Sequence, residues 1–246
     1  MQLGFLMAGV AGEMAQNKLD TISNNLANAN TVGYMEDRSS FASKFSNEMG
    51  REGAPSQTSA AFLSMNKQYV STQAGSIHQS GGDFDFAING KGFFRVQMED
   101  GSVALTRAGN FKIDAQGNLL TQSNLPVLAK TGAPIILPIG EVSATSNGTI
   151  YINGKPVSEL GISMLKDERR ITKAEGVIIK TAPDNIVEAD RSVSVHQGSL
   201  ENSNVNSILA MTSLIDTMRN YQSTMKIVEQ YNQQAGLLSD RVGVVQ

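Results

Sequence analysis

Met211-Thr-Ser-Leu-Ile-Asp-Thr-Met-Arg-Asn-Tyr-Gln-Ser-Thr-Met-Lys-Ile-Val-Glu-Gln-Tyr-Asn-Gln-Gln-Ala235 is the stretch whose reading decides the fold class. Met211, Leu214, Met218, Tyr221, Met225, Val228, Asn232 and Ala235 follow one another at steps of three and four in alternation. That is the a/d pattern of a heptad seam. Ile208 and Ile215 widen it, and no proline follows Pro183. Ser203 or Asn204 can cap the start. The pattern predicts a helix over 205–238, ~50 Å long. Methionine in the seam suits adaptable packing. Asn232 at a core position fixes register at a cost in stability.

The opposite end of the chain carries a matching pattern. Ala8, Ala11, Ala15, Leu19, Ile22, Leu26 and Ala29 step by three and four, with Leu3, Met7, Val10 and Met14 beside them. A helix over Leu3 to Ala29 would be ~40 Å long, with Gly33 as its stop. Its outer face holds few charges, only Glu13, Lys18 and Asp20. A lone solvated helix normally shows more, so both faces of this one are expected to be buried. The sharper expectation is that the two terminal helices form a coiled-coil-like layer with copies of themselves. The plainer one is a two-helix core.

Between the helices the period changes. Asp83-Phe84-Asp85-Phe86-Ala87-Ile88 alternates, as does Phe111-Lys112-Ile113. Short strand-like runs follow at 93–96, 103–106, 135–137, 149–152 and 177–179. Asn89-Gly90, Asp100-Gly101, Gln116-Gly117 and Asn153-Gly154 supply the positive φ angles of tight turns. The reading is α+β: a helix over 1–34, an extended linker at 35–82, an inserted all-β domain at 83–186, a return linker at 187–204 and a helix over 205–246.

Composition narrows the function. The chain has 246 residues, of which 40% are hydrophobic and 17% charged, against roughly 25% charged in ordinary proteins. The shortfall is made up by Asn, Gln, Ser, Thr and Gly. A net charge of -3 lacks the basic stripe of a nucleic-acid binder. The apolar N-terminus is too short for a membrane span of ~20 residues and has no basic residue before Lys18 to open a secretory signal. There is no Cys, and His78 and His196 are isolated. A phosphate loop fails on spacing, since five residues separate Gly148 from Gly154-Lys155 and Pro156 follows. Asp83 and Asp85 read as the solvated face of a strand, and Asp167-Glu168-Arg169-Arg170 as a solvated turn. Asn147-Gly148-Thr149 fits a glycosylation sequon, but a turn explains it equally well. No nucleophile has a nearby base, so no catalysis, cofactor or metal is expected.

Three motifs remain. Thr21-Ile22-Ser23-Asn24-Asn25-Leu26-Ala27-Asn28-Ala29-Asn30-Thr31-Val32-Gly33-Tyr34 resembles the N-terminal signature of the bacterial flagellar rod and hook proteins. Phe86-Ala87-Ile88-Asn89-Gly90-Lys91-Gly92-Phe93-Phe94, then Leu105-Thr106-Arg107-Ala108-Gly109-Asn110-Phe111, resembles the start of that family's β domain. Gly198-Ser199-Leu200-Glu201-Asn202-Ser203-Asn204-Val205-Asn206 resembles the motif that opens its C-terminal helix. The β-domain motifs set the chain apart from the family's smallest rod proteins, and the length sets it apart from its hook proteins. The lack of a long insertion after Tyr34 and the start Met1 to Val10 resemble the proximal-rod members more, with the distal-rod members as the alternative.

The resemblance implies a structural subunit without enzymatic activity, polymerising with copies of itself and other rod proteins into a torque-transmitting shaft around an export channel. It also implies passage through the flagellar type III export apparatus without a cleaved signal, and a place in the periplasm. The seam would pack on Ala8, Ala11, Ala15, Leu19, Ile22 and Leu26. Asn24, Asn25, Asn28 and Asn30 would shape the helix exit, and Gly90 and Gly92 would permit turns. The competing expectation is a secreted binding module or wall-associated enzyme, with a polar pocket in the β domain.

Overall fold

The computed structural model describes residues 2–45, 61–190 and 192–242. In chain order the elements are α1 (Gln2–Ala27), β1 (Asp37–Phe45), β2 (Ala61–Val70), β3 (Ile77–Gln79), β4 (Phe86–Asn89), β5 (Phe93–Gln97) and β6 (Val103–Thr106). Then come β7 (Lys112–Ile113), β8 (Leu119–Leu120), β9 (Val142–Ala144), β10 (Thr149–Ile152), β11 (Lys155–Glu159) and β12 (Ile162–Leu165). The chain continues through β13 (Ile171–Glu175), β14 (Ile178–Thr181), β15 (Ile186–Glu188), β16 (Ser194–Gln197) and β17 (Ser199–Glu201) to α2 (Ser207–Val242). The class is α+β, with a helix near each end and a largely β middle. Two compact units result: Met1–Leu26 with Asp37–Gln68 and Ser207–Gln246, and Ala27–Glu36 with Tyr69–Asn206.

In the first unit α1 stops at Ala27, two residues before the predicted end. The chain then turns, and the Thr31 N–H donates to the Asn28 carbonyl (3.1 Å). The stretch expected as an extended linker holds two strands, β1 and β2, paired with each other; residues 46–60 of it lie outside the described part. Its Ser- and Gln-rich composition hides the pairing, since the alternation Leu63-Ser64-Met65-Asn66 is short. Helix α2 begins at Ser207. The Ser203 hydroxyl accepts from the Val205 N–H (3.2 Å), ahead of the helix, and the Asn204 amide is engaged elsewhere, so the two residues predicted as caps shape the approach instead.

The second unit is built on a six-stranded sheet in the order β13-β14-β6-β5-β12-β15. Its apolar runs bury both faces. On β5, Phe94 and Val96 enter the larger core while Phe93 enters a second one. Ala104 and Leu105 on β6 divide in the same way, as do Ile178 and Ile179 on β14. Side chains alternate across a strand, so a continuous apolar run needs a cover on each side. Leu119, Val127, Ile135, Ile150 and Leu160 join one core. Met35 and Val70, from the segments next to the helices, join the other. Phe111 meets Phe94 edge-on at 5.1 Å and Phe86 at 6.1 Å. Asp83 and Asp85 precede β4 instead of lying on it, and the Ser80 hydroxyl donates to Asp85 Oδ2 (2.6 Å). The return segment, expected as a linker, holds strands: β16 pairs with β4 and β17 with β3, so the last strands of this unit close on its first.

Candidate functional site: the terminal helices and the motif junction

On α1 Gly12, Thr21 and Asn25 are buried, and Ala8, Ala15, Leu19, Ile22 and Leu26 are half-buried, as are Val10, Met14 and Asn17. Gly12 is buried, while Ala11 beside it is exposed. A Cβ at Gly12 would stand 3.7 Å from Met225 Sδ and 3.8 Å from Thr224 Cγ2, so α1 and α2 come together here. Gly costs about 1 kcal/mol relative to Ala inside a helix, and a Cβ here would make ordinary van der Waals contact, so the approach would accommodate Ala. On α2 the less exposed stripe is Leu214, Thr217, Tyr221, Thr224 and Val228, with Thr217 at 5% exposure. Met211 and Met218 are half exposed, Met225 nearly so, and Asn232 is exposed. Ala235 lies on α2 with its side chain outside the described set.

Two asparagines of the motifs act as backbone clamps. The Asp37 N–H donates to Asn25 Oδ1 (2.9 Å), and Asn25 Nδ2 donates to the Asp37 carbonyl (2.8 Å). One amide thereby serves both polar groups of the residue that starts β1. Asn204 does more. Its Oδ1 accepts from the Glu36 N–H (2.7 Å), and its Nδ2 donates to the carbonyls of Ser71 (3.0 Å) and Gln73 (2.8 Å). Two chain segments, at Glu36 and at Ser71 to Gln73, are pinned by three bonds from one side chain. Asn28 accepts from the Thr31 hydroxyl (3.2 Å), whereas Asn24 and Asn30 are exposed.

The motifs converge on one buried ion pair within the second unit. Arg107 Nε lies 3.0 Å from Glu201 Oε2, and both side chains are 4% exposed. That approach is off the N–H line, so Oε2 is held by charge without a directed hydrogen bond. Arg107 Nη1 donates to the carbonyls of Gly90 (2.9 Å) and Gly92, and the guanidinium stands 5.5 Å over the Phe93 ring. Glu201 Oε1 accepts from the Gly75 N–H (2.8 Å), and the Glu201 carbonyl accepts from the Gly33 N–H (2.8 Å). Gly33 has φ +66°, and a Cβ there would sit 2.2 Å from the Ala108 nitrogen. At Gly109 a Cβ would fall 1.7 Å from the Phe86 carbonyl oxygen. Tyr34 is buried with Lys173 Nζ 3.7 Å over its ring, a cation–π contact. Thr106 Oγ1 donates to the Val177 carbonyl (3.1 Å) and accepts from the Ala108 N–H (3.1 Å). Leu200 and Phe111 are buried, and Gly198 takes φ +67°. Burial pushes the Glu201 carboxyl above its ordinary range, against the pull of Arg107 and the Gly75 N–H, and lowers Arg107.

Gly12, Thr217, Thr224 and Gly75 were not singled out by sequence reasoning. The one available signal was a glycine inside a strong helical pattern. Among the described residues no cluster of His, Asp and Glu could hold a metal ion. His78 and His196 are both exposed. A polar groove of about 380 Å³ is lined by Lys130, Asn147, Glu159, Glu188 and Asp190, but Lys130 and Glu159 neutralise each other at 3.0 Å.

Three family patterns match in chain order. The one described as "Flagella basal body rod protein" covers residues 10–34. "Flagellar hook protein FlgE/F/G D1 domain" covers 87–155, and "Flagellar basal body rod FlgEFG protein C-terminal" covers 196–240. A flagellar basal-body rod protein FlgF of Mesorhizobium japonicum is 34% identical over 231 residues, 92% of each chain. The chain belongs to the flagellar basal-body rod protein family. The FlgF of Rhizobium meliloti is 32% identical over 232 residues, covering 93% of this chain and 92% of its own. A FlgG of Buchnera aphidicola from Schizaphis graminum is 30% identical over 251 residues, covering 91% and 94%. The chain is FlgF-like. This family is one of structural rod proteins, not of enzymes. A structural subunit of the basal-body rod, assembled with other rod subunits, is therefore its role.

Proposed function

We propose that this rod protein is a subunit of the proximal rod, polymerising through α1 and α2 into a coiled-coil-like inner layer around the export channel. Its length of apolar helix carries the reading. α2 runs 36 residues, about 54 Å, and leaves methionines and isoleucines exposed along that length. The low charge of both helices suits a conduit that must pass unfolded segments without trapping them. The clamps at Asn25 and Asn204 fix where chain leaves α1 and enters α2, which suits a shaft that transmits torque. Export through the flagellar type III apparatus without a cleaved signal, and assembly in the periplasm, complete the reading.

Electron microscopy of basal bodies from a deletion strain tests it. Rods missing from their membrane-proximal segment onward are expected. Rods that keep the proximal segment and lack the distal one would assign the chain to the distal, FlgG-type position, the second reading favoured by the 30% identity to a FlgG. Complete rods and normal swimming would overturn both.

A further inference from the structure

Met225 touches α1 and is open to water at once. Its Sδ stands 3.7 Å from where a Cβ at Gly12 would be, and the residue is 42% exposed. Both partners belong to one chain. Gly12 has no side chain, so the sulfur faces the backbone of α1 directly. A thioether suits that place, being apolar, polarisable and flexible.

The same sulfur is a nucleophile, and a hydroperoxide in solvent reaches it without unfolding of the chain. The sulfur lone pair attacks one peroxide oxygen, and the S–O bond forms as the O–O bond breaks. The departing oxygen takes the proton of the transferred one and leaves as water or an alcohol. Sulfur is oxidised and the peroxide reduced, each by two electrons. The product is a sulfoxide, polar and chiral where the thioether was apolar. Its oxygen needs hydrogen-bond donors, and the contact has few to give. Thr224, the other residue at Gly12, already donates its hydroxyl to the Asn220 carbonyl (2.9 Å). The α1 N–H groups at this height are used inside the helix. An acceptor held without a donor is costly, and water lies on the exposed side of the same residue. The oxygen therefore turns outward, which lifts the sulfur off α1.

We infer that Met225 is an oxidation-sensitive contact of the free chain. A hydroperoxide converts its thioether to the sulfoxide and loosens α1 from α2, and a sulfoxide-reducing enzyme restores the pairing. Other methionines frame the effect. Met211 and Met218, each 51% exposed, stand on the same helix and are as open to oxidant. Met35, 4% exposed in a core of the second unit, is shielded. Exposure alone does not set Met225 apart; its place against Gly12 does.

The test is thermal unfolding of the purified full chain, followed by circular dichroism at the helical band, before and after brief exposure to hydrogen peroxide. Peptide mass spectrometry locates each sulfoxide. The wild-type chain is expected to take oxygen at Met211, Met218 and Met225 while Met35 stays reduced, and its helical transition should fall by about 5 °C. Met225→Leu keeps the volume and removes the sulfur. Its helical transition should be unmoved by peroxide, although Met211 and Met218 are oxidised. Met218→Leu should respond as wild type does. Met225→Gln, polar without any oxidant, should melt early from the start. Methionine sulfoxide reductase should return the oxidised wild type to its first value. An equal peroxide shift in wild type and Met225→Leu would overturn the inference. So would a wild-type transition that stays in place with Met225 oxidised, or a Met225 that stays reduced while Met218 is oxidised. A free chain without any helical transition would overturn it too, since no pairing would exist for oxidation to loosen.

Discussion

Arg107 and Glu201 lie in separate motifs, yet they form the pair on which Gly33, Gly75, Gly90 and Gly92 all converge. No spacing rule reveals such a pair, since neither residue belongs to a periodic pattern. The motifs showed that these positions matter, and only the fold shows why. Removing one partner strands a buried charge. Arg107→Leu should therefore cost about 3–5 kcal/mol, whereas Arg107→Met with Glu201→Leu should be close to neutral. Urea unfolding followed by circular dichroism would read both, and an Arg107→Leu chain as stable as wild type would refute the role. Asp114 gives a prediction in pH. Its carboxylate accepts from the Asn118 side chain and from the N–H groups of Gln116 and Asn118, which hold it below the ordinary 3.8. A folded-state value below the unfolded one means stability present above 3.8 and lost as pH falls through the lower folded value. Asp114→Asn should flatten the acid limb of a stability-against-pH curve in that window. Glu201, raised by burial, acts in the opposite sense, losing stability as pH rises from 4.5 through its folded value.

At the scale of elements, the helical period of both ends was legible, and so were the turns at Gly90, Gly101, Gly117 and Gly154, all of which take positive φ. Which stripe of α2 faces α1 was not. Hydrophobicity favours Met211 and Met218 over Thr217 and Thr224, but the threonines take the less exposed positions, and at Gly12 both Thr224 and Met225 meet α1. Ala11 and Gly12 are adjacent and both small, so sequence alone could not choose between them. Gly12→Leu should drive α1 and α2 apart where Met225 and Thr224 approach within van der Waals distance. The expected result is earlier melting of helical signal with the β unit unchanged; an unshifted helical transition would show that the approach does not matter. Strands β1 and β2 escaped notice because the Ser- and Gln-rich stretch around them carries only a short alternation, Leu63-Ser64-Met65-Asn66.

At the scale of the molecule, the two units draw on different resources. The β unit holds two cores of fully buried aromatic and aliphatic side chains. In the other unit, α2 exposes large apolar residues along its length. Limited proteolysis of dilute monomer should remove most of both helices and leave a fragment spanning about the second unit. Protection of both ends under those conditions would count against helices completed by neighbours. The Asn204 clamp has a further consequence, in time instead of space. Its bond to Glu36 spans 168 residues. Contacts between distant parts of a chain form slowly, because the loop must close before anything is gained. On a chain that emerges N-terminus first, the Glu36 carbonyl can accept from the Ser71 N–H early, but its own N–H meets Asn204 only after 168 further residues have followed. The clamp is thus among the last contacts to form, closing only once β17 has followed.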